Sequence, residues 1–184
     1  IAALFNAYTE DGFVENFREL QNLGAKSLYA DSGGLQIVTA GKTITKEIKQ
    51  QIYKTQTAAD YAMCFDVIPV RTLDGARSER LDLSNRRFDR AQLESCARET
   101  GKNLRRQIDF FDEKGSKARP MLITQGNDYD SYMKWTQYVV EELDDYHVSR
   151  IGGIAMGAAA LGKGSLEDFK RAFYFTQLPI NLES

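Results

Sequence analysis

Short apolar runs alternate along the chain with longer stretches in which apolar residues recur every three or four positions, and a polar or glycine-containing loop separates each pair. The pattern repeats five times. Ile1-Ala2-Ala3-Leu4-Phe5 predicts a strand, and Phe13, Phe17 and Leu20 mark a helix face that stops at Gly24. Ser27-Leu28-Tyr29-Ala30 predicts the second strand. Ile44, Ile48, Ile52 and Ala59 then share one helix face, with Thr43 as N-cap. The third strand is Ala62-Met63-Cys64-Phe65. A polar stretch from Arg71 to Arg87 follows, and Leu93, Ala97, Leu104, Ile108 and Phe111 trace a helical stripe that Gly101 is expected to break. Met121-Leu122-Ile123-Thr124 is the fourth strand, and its helix carries Tyr132, Trp135, Val139 and Leu143 behind a cap at Asp128 or Asp130. Arg150 to Met156 forms the fifth strand. A last helix starts at Ser165, where Ser165-Leu166-Glu167-Asp168 approximates a capping box.

Strands alternating with helices, without a hairpin signal, predict an α/β fold with a parallel sheet built from right-handed crossovers. Two architectures satisfy this. A doubly wound open sheet accepts five units as a complete domain, whereas a (β/α)8 barrel needs three more and roughly 250 residues. Both place chemistry just after the strands, at their C-terminal ends.

Composition narrows the class. At 184 residues and 42% hydrophobic, the chain can bury a core as one domain, which excludes disorder. No apolar run approaches the roughly 18 to 20 residues of a membrane span, so no membrane association is expected. Cys64 and Cys96 form neither a disulfide framework nor a metal half-site, and a reduced, cytoplasmic protein is expected. His147 is the single histidine, which argues against a His-based metal centre or triad and for a structural role. The net charge of -2 argues against a strongly basic coat protein.

The strand ends read Asn6-Ala7-Tyr8, Asp31-Ser32-Gly33-Gly34-Leu35-Gln36, Asp66, Gln125-Gly126 and Gly152-Gly153-Ile154-Ala155-Met156-Gly157. Two carboxylates converging at one mouth can divide proton transfer, nucleophilic attack and recognition of paired N–H donors. Each can equally cap the next helix or pin a turn. A purine matches these parts: a carboxylate accepts from the N1–H and exocyclic amine of guanine, while the Gln125 amide and the Gly153 N–H donate to O6.

The Asp31-Ser32-Gly33-Gly34-Leu35-Gln36 element, Met63-Cys64-Phe65-Asp66, Gln125-Gly126 and Gly153-Ile154-Ala155-Met156-Gly157, in this order, resemble the guanine transglycosylase family. That family comprises the queuine and archaeosine tRNA-guanine transglycosylases and related enzymes that place 7-deazaguanine in DNA. Asn6-Ala7-Tyr8 is also similar to the family's Asn-Thr-Tyr segment. The resemblance implies a (β/α)8 barrel, of which residues 1–184 are the central portion with about five βα units. It implies exchange of a guanine in tRNA or DNA for a 7-deazaguanine base through a covalent glycosyl-enzyme. Asp31 is then the general acid/base with Ser32 beside it in the base pocket, Asp66 reads the guanine edge, Gln125 and the Gly153 backbone hold O6, Gly126 counts among the base-binding residues, and Ile154 to Gly157, Met156 included, close a wall. Three departures accompany it. Leu35 stands where the family has an aromatic residue, and the attacking carboxylate falls beyond Ser184. The family's structural zinc, held by three Cys and a His, falls there too, and no cofactor is expected in this segment.

Other readings compete. Gly157-Ala158-Ala159-Ala160-Leu161-Gly162-Lys163-Gly164 matches the phosphate-loop spacing up to its last position, where Gly164 replaces the magnesium-holding Ser/Thr. Lys163 and its neighbouring N–H groups are alternatively a phosphate contact on a nucleic acid, or a solvated loop. Between Arg71 and Arg106 ten basic residues stand against six acidic ones, a net of +4, which suits phosphate contacts or a solvated helix face. Glu141-Glu142 and Asp144-Asp145 are expected in solvent. Because the attacking carboxylate is not visible, a non-catalytic barrel subunit that binds a base or nucleic acid, completed by a partner chain or an oligomer, is the second class of function.

Overall fold

The structure, a computed structural model, describes residues 2–9, 13–40, 42–72, 86–157 and 170. Apart from Lys170, which is helical, the expected last helix lies outside the described residues, as do Lys163 and most of the Arg71 to Arg87 stretch. Strands β1 (Ala2–Asn6), β2 (Ser27–Asp31), β3 (Tyr61–Met63), β6 (Arg119–Thr124) and β7 (Gly153–Met156) form one sheet in the order β1-β2-β3-β6-β7, every pair parallel. Each βα unit adds its strand beside the previous one. That sequential order has no reversal, so it lacks the switch point that defines a doubly wound sheet and is compatible with a section of a barrel.

Helices α1 (Phe13–Asn22), α3 (Lys46–Gln56), α4 (Leu93–Glu113) and α5 (Tyr129–Val140) provide the crossovers, and the short helices α2 (Gly34–Thr39) and α6 (Asp145–Arg150) lie within the loops. Local chemistry sets their ends. Gly24, at φ 95°, ends the turn after α1 with its N–H on the Gln21 carbonyl. Thr45, not Thr43, caps α3 and accepts from the Ile48 N–H. Asp128 caps α5 in a reciprocal box with Ser131. Asp144 caps α6, which occupies the start of what the sequence predicts as the fifth strand.

Two further expectations are corrected. A hairpin is present: β4 (Val70–Thr72) pairs antiparallel with β5 (Arg86–Phe88). Helix α4 runs unbroken through Gly101, where an added Cβ would lie 2.6 Å from the Val139 carbonyl oxygen and 2.8 Å from Glu142 Cβ. Close packing of α4 on α5 explains this glycine.

The core lies between the sheet and its helices. Leu104, Ile108, Leu122, Trp135 and Val139 are fully buried there, and Trp135 donates through Nε1 to the Ile123 carbonyl at 2.9 Å. Opposite that layer the sheet carries Leu4, Tyr29, Tyr61, Met63 and Met121, with Tyr29 stacked on Tyr61 at 4.9 Å and Leu4 65% exposed. Among the described residues no helix covers this second face. Arg119, the register partner of Tyr61, shares this largely apolar face, which is compatible with a section of a barrel.

Glu141, Asp144 and Asp145 are exposed, as expected, and Glu142 is half-buried; Glu141, Glu142 and Asp144 also pair with arginines of α4. Arg98 bonds Glu94 at 2.9 Å, Glu141 at 2.8 Å and Glu142 at 3.1 Å, and Arg105 bonds Asp144 at 3.1 Å. Arg106 pairs with Glu99, and Arg90 with Asp128 and Asp130. Arg90, Arg98 and Arg105 thus bridge neighbouring elements, whereas the Arg106–Glu99 pair lies within α4. His147 is buried between Asp144, 2.6 Å from Nδ1, and Asp109, 3.0 Å from Nε2, joining α6 to α4.

Candidate functional site

Residues at the C-terminal ends of the sheet enclose a cavity of about 290 Å³. Its polar lining is Asp31, Ser32, Gln36, Asp66 and Gln125, and its apolar walls include Leu4, Met63, Ile68, Ile123, Ala155 and Met156. Five segments separated by tens of residues meet here because parallel strands all deliver their C-terminal ends and following loops to one edge.

Asp31 is the last residue of β2. Its carbonyl accepts from the Ala7 N–H at 3.0 Å, extending the pairing with β1, and its carboxylate accepts from the Gly33 N–H at 3.2 Å. Gly33 has φ 70°, and an added Cβ would lie 2.4 Å from Asn6 Oδ1 and 2.6 Å from Tyr8 Cβ. Both the left-handed backbone and the close approach of the β1 loop require glycine. Asn6 shapes that loop, accepting the Tyr8 N–H at 2.9 Å. Burial raises the Asp31 carboxyl above its ordinary value, against the opposing pull of the Gly33 and Ser32 N–H groups.

Asp66 lies three residues past β3 and accepts from Gln125 Nε2 at 2.7 Å. Burial is the main cause that pushes its carboxyl up to about 6. The Gln125 bond opposes this rise and the nearby Asp31 charge adds to it. Gln125 is itself buried and packs over Gly157, where an added Cβ would lie 1.9 Å from Nε2. The glycine that follows β7 therefore makes room for the amide that follows β6.

The loop after β3 is anchored from outside. Gln56 Nε2 donates to the Met63 carbonyl at 2.9 Å, and Asn103 Nδ2 to the Phe65 carbonyl at 2.9 Å. Thr100 Oγ1 accepts the Val67 N–H at 2.9 Å, and Gln107 Nε2 donates to Gln56 Oε1 at 2.7 Å. Thr100, Asn103 and Gln107 are fully buried on α4. The apolar stripe hides them: polar residues at i, i+3 and i+7, set among Ala97, Leu104, Ile108 and Phe111, fall on the inward face. A buried polar row on a helix facing a strand end is the sequence signal for such an anchor.

Of the expected site residues, Asp31, Ser32, Asp66, Gln125 and Met156 line one cavity. Gly126 follows Gln125, but its Cα faces the Tyr132 ring, 2.7 Å from an added Cβ, and it does not line the cavity. Gly153 and Ile154 open β7 beside Met121 and Leu122, at the far end of the strand from Gly157, and are not in the lining. Lys163 lies outside the described residues. A zinc centre does not fit the described residues: Cys64 is buried, its Sγ accepting the Ile123 N–H at 3.3 Å, and no group of three His, Cys, Asp or Glu is placed to hold a metal. Among the described residues no helix is long and apolar enough to cross a membrane.

Fold and site define an α/β protein with a parallel sheet and a cavity at its strand ends carrying two carboxylates and an amide. No family model and no curated protein matches the chain.

Proposed function

We propose that the chain is part of a (β/α)8 barrel that exchanges a guanine in a nucleic acid for a 7-deazaguanine base, as its resemblance to the guanine transglycosylases implies. The observation that carries the reading is the convergence of Asp31, Asp66 and Gln125, three positions from separate segments, in one cavity with apolar walls. The walls, Met63, Ile68, Ile123 and Met156 among them, suit the flat faces of a base. Ionised Asp66 accepts from the N1–H and the exocyclic amine. Gln125 Nε2 carries two hydrogens: one is engaged by Asp66, and the second serves O6.

The target nucleotide is flipped into the cavity. A carboxylate attacks C1′ as the bond to the base breaks, and the bonding electrons leave with guanine. Asp31 supplies the proton the departing base needs and takes one from the incoming base. Its raised proton affinity suits both directions. The cavity's described lining holds only the two carboxylates already assigned to proton transfer and recognition. This favours, as a second reading, a subunit that binds the base while another segment or chain supplies the nucleophile.

The test follows labelled guanine into tRNA and into duplex DNA with the complete native polypeptide, beside Asp66→Ala. Incorporation into one polymer, lost in the variant, supports exchange and names the substrate. Guanine binding without incorporation supports the subunit reading, and unchanged guanine affinity in Asp66→Ala refutes the pocket assignment.

A further inference from the structure

The segment from Met63 to Val67 continues β3 with a two-residue alternation in its bonding. Residues 63, 65 and 67 turn backbone groups outward, to Gln56 and Gln107, to Asn103 and to Thr100. The residues between them bond toward β6: the Cys64 N–H reaches the Met121 carbonyl at 3.0 Å and the Asp66 carboxylate meets Gln125. The side chains here do not alternate strictly: Met63 and Asp66 line the cavity while Cys64 and Phe65 are buried in the core, so the direction of Asp66 is set by the bonds that hold the backbone on either side of it, at the Phe65 carbonyl and the Val67 N–H.

The anchor is itself determined. Asn103 Oδ1 accepts from Lys49 Nζ at 2.8 Å and from Arg106 at 3.3 Å, which obliges Nδ2 to face the Phe65 carbonyl. Lys49 also lies over the Phe65 ring at 5.3 Å, and that ring packs on Gly34, 3.2 Å from an added Cβ. The Thr100 hydroxyl donates to the Cys96 carbonyl at 2.8 Å, leaving its lone pairs for the Val67 N–H.

We infer that Thr100 and Asn103, on a helix that does not line the cavity, are positioning residues for Asp66, holding its loop by the Val67 amide and the Phe65 carbonyl. The functional meaning of this rests on the reading of Asp66 as the carboxylate that recognises the base. The titratable groups near Asp66 are Asp31 from β2 and the Cys64 thiol, one residue past β3.

The test uses the full native polypeptide with Thr100→Val, which keeps the side-chain shape and removes the acceptor, and Thr100→Ser, which restores it. Val139→Ala, in the core between α4 and α5, is the control for general loosening. Two readouts are taken: the titration of the Asp66 carboxyl by carbon NMR, and guanine affinity by calorimetry. With the Val67 N–H unpartnered, the loop relaxes and Asp66 gains solvent. Its midpoint then moves down toward an ordinary carboxylate in Thr100→Val alone, and guanine binding weakens about tenfold. Thr100→Ser returns both to the wild-type values. A midpoint unmoved in Thr100→Val, or moved equally in Val139→Ala, overturns the inference. A midpoint that moves as expected in a protein that fails to bind guanine supports the positioning and refutes the base-recognition reading instead.

Discussion

Asp66→Asn offers a direct test of what the cavity demands of the fold. In the unfolded chain this carboxyl protonates near 3.8, and in the folded protein burial brings it to about 6. Between those values the folded state holds a proton that the unfolded state has lost, so wild-type stability falls as pH rises across the window and is level above it. The displacement corresponds to at most about 3 kcal/mol of destabilisation at neutral pH. A neutral asparagine keeps an oxygen for the Gln125 N–H and escapes the cost of burying charge. At pH 7 the variant should therefore melt higher, by up to about 10 °C for a chain of this size, and the gain should shrink to nothing below about pH 4. Guanine affinity should be lost in the same variant, since an amide cannot accept from two N–H donors through both of its arms. Calorimetric melts of both proteins at pH 3.5, 5 and 7, with guanine titrations at pH 7, provide the assay. A variant less stable than wild type at pH 7, or a gain independent of pH, would refute the assignment of Asp66 as a buried, ionised carboxylate.

Three further outcomes are expected. Gly157→Ala should drive the Gln125 amide off Asp66, because its Cβ would lie 1.9 Å from Nε2; guanine affinity should fall about tenfold to a hundredfold, and titration should find Asp66 raised further. Gly101→Ala gains about 1 kcal/mol of helix propensity but overlaps the Val139 carbonyl at 2.6 Å, so its melting temperature should drop, and a rise would contradict the close packing of α4 on α5. Asp31→Asn should keep guanine binding and lose base exchange, which paired binding and incorporation measurements distinguish.

The alternation of apolar runs and helical stripes was enough to place five parallel strands and the principal helices, because those periods are properties of neighbouring residues. It also put Asp31, Asp66 and Gln125 at strand ends, where a parallel sheet makes them converge. What depended on residues distant in the chain was invisible to it. The sequential strand order, compatible with a barrel section, is a matter of which edges pair. The β4–β5 hairpin pairs two strands with thirteen residues of sequence between them. Gly101 reads locally as a helix breaker, yet the approach of Val139 and Glu142 makes it a packing glycine. Arg98 and Arg105 read as phosphate contacts or a solvated helix face, and their partners Glu141, Glu142 and Asp144 stand tens of residues further along the chain. The row of Thr100, Asn103 and Gln107 looks like an interruption of an apolar stripe. Only the tertiary structure shows that the backbone it faces is the strand end carrying Asp66, because a buried polar group is intelligible only with its partner in view.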